Sequence, residues 1–344
     1  MARQHRWAIG LATGMGIGGF LATSGVVVLA NHFVEKLSLP HIHPDERLFS
    51  FRLPSATSEP PLAFQRPVTF RTTDGKVLRG DFWAQSQPAP TIIVCHGYRV
   101  SRDLLRPVAA LEYAGGFNVL LFDFRGHGES ESVITSAGSA EVRDLEAALD
   151  VAVLQPETLP GKVVIHGFSM GAAVALLMQP RPEVAAIVAD SPYARLDKVI
   201  QHVVQLELLY RARRWKTPFC YLDRIFPAIS WAIVEAAQAV FFARFHSRLI
   251  VSPAANLRRW STCWRKAPSL RCPYPPILLI HGQADMAIPF AHALRLAARA
   301  GEQQIPLDTY FVADAGHCDA YSRDPEGYTQ ALRRFISHCL GSLA

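Results

Sequence analysis

The chain has 344 residues, half of them hydrophobic, and a formal net charge of +6. This is enough for a sizeable core, arranged as two domains or as one large domain with an insertion. The charge favours anionic surfaces, but no zinc-finger, helix-turn-helix or RNA-binding pattern accompanies it, so no nucleic-acid partner is expected.

The chain opens with a short basic stretch, residues 1–6, containing Arg3 and Arg6. Residues 7–30 follow without a single charge and are apolar or small throughout. A helix of about 20 apolar residues spans a bilayer. The arginines before it place the N-terminus in the cytoplasm and export the remainder to a periplasmic or extracellular side. A single-pass anchor is therefore expected. The competing reading is a signal peptide cleaved after Val28-Leu29-Ala30, which would release a secreted protein. Residues 31–65 read as a linker, broken by Pro40, Pro44, Pro54, Pro60 and Pro61.

Pro67 to Trp83 reads as a hairpin around an Asp74-Gly75 turn. Alternating elements follow: strand 91–95, strand 117–123, helix 138–154, strand 162–166, helix 170–178 and strand 184–189. The strands are apolar runs rather than strict alternations, as a parallel sheet covered on both faces requires. Residues 191–272 are too long for a simple crossover and are expected to be a helical cap inserted into a core of residues 66–190 and 273–344. Leu196–Leu209 and Ala228–Phe242 are its expected helices. The second is nearly all apolar, but Glu235 and its shortness weigh against a membrane span. Two further strands are expected at 276–280 and 309–312.

Between the strand at 162–166 and the helix at 170–178 lies Gly167-Phe168-Ser169-Met170-Gly171. A strand, a sharp turn and a helix with serine at the turn lift that hydroxyl out of the sheet, and the flanking glycines make room for the turn. A serine hydroxyl is a weak nucleophile and needs a base, which in turn needs an orienting acid. Asp285 ends the strand that runs into His281-Gly282-Gln283-Ala284-Asp285. His317 ends the next, in Ala313-Asp314-Ala315-Gly316-His317. All three lie at C-terminal strand ends, where open α/β sheets carry their sites. Asp190, at the end of the strand 184–189, is the alternative acid. Two backbone N–H groups must face developing negative charge. Met170 supplies one, and Tyr98 is the choice for the other, because Gly97 lets that loop approach closely. His96, His127 and Glu129 read as loop organisers. Six cysteines show no metal spacing, and neither metal nor organic cofactor is expected.

His96-Gly97, the run from Phe122 to Ser130, Gly167 to Gly171, His281 to Asp285, and Ala315-Gly316-His317 stand together in one order. In these landmarks the chain resembles the α/β-hydrolases of the serine-aminopeptidase or lysophospholipase-like group, over roughly residues 66–340. The resemblance implies a mostly parallel central sheet flanked by helices, and a serine hydrolase acting through Ser169, His317 and Asp285. Carboxylic esters, including lipid or other acyl esters, are the expected substrates. A peptidase, an acyltransferase on the same residues, and a non-catalytic receptor on the same fold are the alternatives.

Overall fold

The computed structural model describes residues 25–39, 60–214, 222–266 and 274–341. Most of the expected anchor, 7–24, and the proline-rich part of the expected linker, 40–59, lie outside these residues.

Eight strands form one sheet in the order β1-β2-β4-β3-β5-β6-β7-β8. They are β1 (Gln65–Arg71), β2 (Val77–Trp83), β3 (Ala89–Cys95), β4 (Asn118–Phe122), β5 (Thr158–Phe168), β6 (Val184–Asp190), β7 (Ile277–Gly282) and β8 (Leu307–Val312). β1 and β2 form the hairpin and pair antiparallel, as do β2 and β4; every other pairing is parallel. The chain passes from β3 outward to β4, then returns to lay β5 on the other side of β3. The order therefore reverses between β3 and β5, and the C-terminal edge at such a switch point is open to a ligand.

Alternate residues of the central strands share a face. Ile92, Val94, Val119, Leu121, Val164, Ala186, Val188, Leu278 and Ile280 belong to one buried cluster. Over it pack α2 (Arg106–Ala114), through Val108 and Ala109, and α10 (Pro325–Leu340), through Tyr328, Leu332, Phe335 and Ile336. The residues between them, such as Ile93, Leu120, Ile165 and Ile187, are also buried. Burial on both faces explains why these strands read as unbroken apolar runs. Three further core helices are α3 (Glu141–Val153), α4 (Met170–Leu177) and α8 (Ala291–Glu302), and one turn of helix, α9 (Ala320–Arg323), precedes α10.

The chain divides into two compact units, one over Leu39–Leu196 and Ile250–Ala344, the other joining the N-terminal helix to Asp197–Leu249. Of the expected insertion 191–272, Asp197–Leu249 falls in the smaller unit and the described remainder falls with the sheet. Helix α7 (Pro253–Lys266) belongs with the sheet because it serves the end of α4. Asn256 Nδ2 donates to the carbonyls of Leu176 and Leu177 (3.0 and 2.8 Å), and Trp260 Nε1–H donates to that of Met178 (3.0 Å). The last carbonyls of a helix have no intrahelical donor, and side chains of α7 supply them.

The smaller unit contains α1 (residues 25–38), most of α5 (Leu196–Arg214) and α6 (Leu222–Phe245). Helix α1 continues eight residues beyond Ala30, correcting the expectation of a linker from 31. No proline occurs before Pro40, and Ala30, Val34 and Ser38 recur every fourth residue as a buried face. Glu35 pairs with Arg244 at 3.4 Å. Arg224–Phe245 of α6 is long and apolar enough to cross a membrane by length and composition. Phe226, Ile233, Val234, Ala237 and Phe241 along it are buried, while Ile225, Trp231 and Phe242 are exposed.

Candidate active site

β3 and β5 run side by side with Cys95 opposite Gly167, which sets the loops after them next to one another. The turn at the end of β5 is strained. Ser169 sits at φ 52°, ψ −110°, a region that residues with a side chain seldom occupy. Its N–H donates to the Asp190 carbonyl at 2.8 Å, and its carbonyl accepts from Ala173 at 3.0 Å as α4 begins. The glycines are required by close approach. A Cβ on Gly167 would stand 2.5 Å from the backbone N of Ala172, and one on Gly171 would stand 2.7 Å from the His96 carbonyl oxygen.

The strained turn aims Ser169 Oγ at His317 Nε2, 2.9 Å away. On the other side of the ring, His317 Nδ1 lies 2.7 Å from Asp285 Oδ2. A carboxylate accepts, so Nδ1 carries the hydrogen and Nε2 is left to accept from the serine hydroxyl. Asp285 is itself held: its Oδ1 accepts the N–H groups of Ala287 and Ile288 at 2.9 and 2.8 Å. Behind it, the His281 Nε2–H donates to the Ile288 carbonyl at 2.9 Å, and burial lowers the His281 pKa. Ser169, His317 and Asp285, chosen from sequence, are thus brought into one hydrogen-bonded line across 148 residues of chain.

Met170 is the first residue of α4, where N–H groups have no preceding carbonyl and the helix presents its positive end. Tyr98 lies in the loop after β3. Its ring meets the edge of His127, with centroids 6.1 Å apart, and the Arg99 guanidinium stands 5.3 Å over it.

Two buried histidines shape this loop. His96 Nδ1–H donates to the Gly97 carbonyl (2.6 Å), while its Nε2 accepts from the Phe124 N–H (2.9 Å). His127 repeats the arrangement, with Nδ1–H donating to the Arg125 carbonyl (2.9 Å) and Nε2 accepting from the Arg99 N–H (3.2 Å). Both rings need one bare nitrogen, so both are neutral. Burial, and then the neighbouring His127, push the His96 pKa down to about 4. Neither ring has a nitrogen to spare for proton transfer, in keeping with a structural role.

The run from Phe122 to Ser130 folds around the carboxylates of Asp123 and Asp144, which accept the N–H groups of Glu129 and Arg125. Asp123 Oδ1 accepts the Arg102 N–H at 2.7 Å, its Oδ2 accepts the Glu129 N–H at 3.0 Å, and the Arg102 guanidinium closes the cluster with Asp123, Asp81 and Glu129. Gly128 sits at φ 49°, and a Cβ there would fall on the Asp123 carboxylate. Arg125 joins Asp144 (2.6 Å) and Asp74 (2.8 Å). Arg102, Asp144 and Asp81 carry no local pattern that marks them, and sequence reasoning did not find them.

Asp190, the alternative acid, has other hydrogen-bond partners for its carboxylate. Its Oδ1 accepts from Ser191 Oγ (2.8 Å) and its Oδ2 from the Tyr328 hydroxyl (3.2 Å). Burial pushes its pKa up to about 6.

A family model described as the alpha/beta hydrolase family matches residues 92–331. Protein Rv2307c of Mycobacterium tuberculosis is 26% identical over 288 residues, 83% of each chain. YfhR of Escherichia coli is 25% identical over 325 residues, covering 92% of this chain and 93% of that one. Among solved structures, the esterase Pf2001 of Pyrococcus furiosus superposes with a TM-score of 0.59 at 24% identity, over 84% of this chain and 99% of that one. The esterase EaEST of Exiguobacterium antarcticum superposes with a TM-score of 0.51 at 15% identity, over 79% and 100%. These superpositions carry the fold. With a family match over more than half of its length, laid on this sheet and this strained turn, the chain belongs to the alpha/beta hydrolase family.

Proposed function

We propose that the protein is a serine hydrolase that cleaves carboxylic esters through a covalent acyl-enzyme. The observation that carries this reading is the pair of contacts on the His317 ring: 2.9 Å to Ser169 Oγ on one side and 2.7 Å to Asp285 Oδ2 on the other. His317 takes the Ser169 proton as Oγ attacks the ester carbonyl carbon. Asp285 holds the ring in the required tautomer and offsets its positive charge. The N–H groups of Met170 and Tyr98 receive the oxyanion. His317 then protonates the departing alcohol, and water releases the acid by the same steps in reverse.

Both esterases and an acylaminoacyl peptidase superpose on this fold, so the fold itself admits either acyl class, and esters are put first as the simplest substrate of the proposed acyl-enzyme route. The uncharged run 7–30 further favours a membrane-anchored enzyme with its catalytic unit exported, acting on acyl esters near the bilayer. Nothing in the proposed mechanism requires a metal or an organic cofactor.

Fluorophosphonate labelling of the full chain in detergent, beside Ser169→Ala, tests the reading. Labelling of the wild type alone, with turnover of short-chain aryl esters, is expected. A folded wild type that takes no label would bring the non-catalytic receptor forward. Fusing reporters to the C-terminus tests the topology, with activity expected only for a reporter that works outside the cytoplasm.

A further inference from the structure

Beneath the nucleophile a line of four buried polar side chains crosses the core. His166 Nδ1 meets Glu112 Oε1 on α2. His166 Nε2 lies 3.1 Å from the Tyr328 hydroxyl on α10, which lies 3.2 Å from Asp190 Oδ2 at the end of β6. None of the four is more than 3% exposed, and Glu112 Oε2 is buried with no partner. Such a line is costly in an apolar interior and is not needed to close the sheet.

Its upper end is tied to both sides of the proposed reaction centre. The Asp190 carbonyl holds the Ser169 N–H, and Asp190 Oδ1 accepts from Ser191 Oγ. Ser191 Oγ in turn accepts the N–H of Cys318, the neighbour of His317, at 3.1 Å. Ser169, Ser191 and Cys318 all hold positive φ, at 52°, 54° and 51°. Three strained residues thus meet around Asp190: Ser169 at its carbonyl, Ser191 at its carboxylate and Cys318 through Ser191.

The hydrogens can be counted. A phenol has one O–H, and Tyr328 stands between two acceptors. In one arrangement Asp190 Oδ2–H donates to the Tyr328 oxygen, the Tyr328 O–H donates to His166 Nε2, and His166 Nδ1–H donates to Glu112. In the other, the Tyr328 O–H donates to the Asp190 carboxylate and His166 Nε2–H donates to the Tyr328 oxygen. The two hold the same hydrogens, with His166 Nδ1–H kept on Glu112 in both, and differ in whether Asp190 or His166 Nε2 carries the extra one. To pass between them, the Asp190 O–H bond breaks as a new bond forms to the Tyr328 oxygen, and the original Tyr328 hydrogen moves to His166 Nε2. No proton enters or leaves, and Tyr328 stays neutral throughout, since burial pushes its pKa well above the ordinary value.

We propose that this line shares one buried proton, which passes from Asp190 through Tyr328 to His166 when His317 becomes cationic. Asp190 then stands ionised beneath the imidazolium as a second counter-ion behind Asp285. The groups that face Asp190 fit this role. His166 on β5 and His317 after β8 both favour its ionised form, whereas burial opposes it and raises its pKa. Cys318, also against Asp190, stays a thiol because burial raises its pKa strongly. Asp190, Tyr328 and His166 are positioning residues: they act through His317 and touch no substrate. The consequence for turnover rests on the triad reading; the shared proton does not.

Nitrogen NMR of the full chain labelled with 15N-histidine tests the proposal without substrate. As the pH is lowered through the protonation of His317, the His166 Nε2 signal is expected to change from an accepting to a protonated nitrogen in step with His317. The step should vanish at that pH in Tyr328→Phe and in His317→Ala. A His166 Nε2 that keeps its state while His317 gains its proton would overturn the proposal, as would an unchanged step in either variant. Should Tyr328→Phe fail to fold, the wild type and His317→Ala still decide. A retained step in a chain that takes no fluorophosphonate would overturn the hydrolase reading and keep the shared proton. In an active chain, Tyr328→Phe is expected to lower kcat about tenfold with KM nearly unchanged.

Discussion

Gly171 and Cys95 lie in backbone contact: a Cβ on Gly171 would stand 2.7 Å from the Cys95 carbonyl carbon. This contact seats the start of α4 against the end of β3, and so fixes the spacing between the serine turn and the loop that carries Tyr98. Gly171→Ala is expected to destabilise the fold by about 1–3 kcal/mol through overpacking, because the obstruction is backbone and cannot rotate away. Thermal unfolding of the purified variant measures this, and a Tm equal to wild type would refute the contact.

Asp285 and Asp190 can be told apart by one substitution each. In Asp285→Asn the two N–H groups of Ala287 and Ile288 hold the amide oxygen, so the NH2 faces His317 Nδ1 and forces the wrong tautomer. The expected loss in kcat is about 10³–10⁴-fold. Asp190→Asn is expected to lose no more than about tenfold, the value expected when the second counter-ion alone is removed. Ester turnover by both variants decides, and a reversed order would make Asp190 the orienting acid.

Acid should weaken the fold through His96. Its folded pKa of about 4 lies below the ordinary histidine value of 6.5. Between these values the unfolded chain binds a proton that the folded chain refuses, so stability falls as pH drops from about 6.5 to about 4. Removing the titrating ring in His96→Asn should flatten the acid loss of Tm, even though the variant starts from a lower Tm. A calorimetric series from pH 4 to pH 7 on both proteins measures the two slopes.

Cys95 and Cys318 should resist alkylation in the native protein. Both are buried, and burial raises both thiol pKa values, which withholds the reactive thiolate. Mass spectrometry after iodoacetamide treatment, with and without denaturant, is expected to find these two modified only after unfolding. Cys318→Ala should retain most of the activity, since the Ser191 bond is made by the Cys318 backbone N–H. Loss of activity beyond about tenfold would give the thiol a part in the reaction.

The positions of the strands along the chain, and the placing of Ser169, Asp190, Asp285 and His317 at strand ends, were legible in the residues alone. A strand buried on both faces must be an apolar run, and a serine between two glycines at a strand-to-helix turn has few other uses. These are local signals, because backbone sterics and burial pattern act within a few residues. The helices α2, α8 and α10 were not predicted, and the end of α1 was set eight residues short, at a point where no residue breaks a helix. Nor could a linear reading assign α7 to the sheet. Its place follows from Asn256 and Trp260 donating to the end of α4, about 80 residues earlier. That Asp285 rather than Asp190 lies against His317 Nδ1, and that a line runs from Asp190 to Glu112, are likewise visible only in the tertiary structure. A carboxylate's partners are set by what lies within about 3 Å of it. For Asp190 these include Tyr328, 138 residues further along the chain.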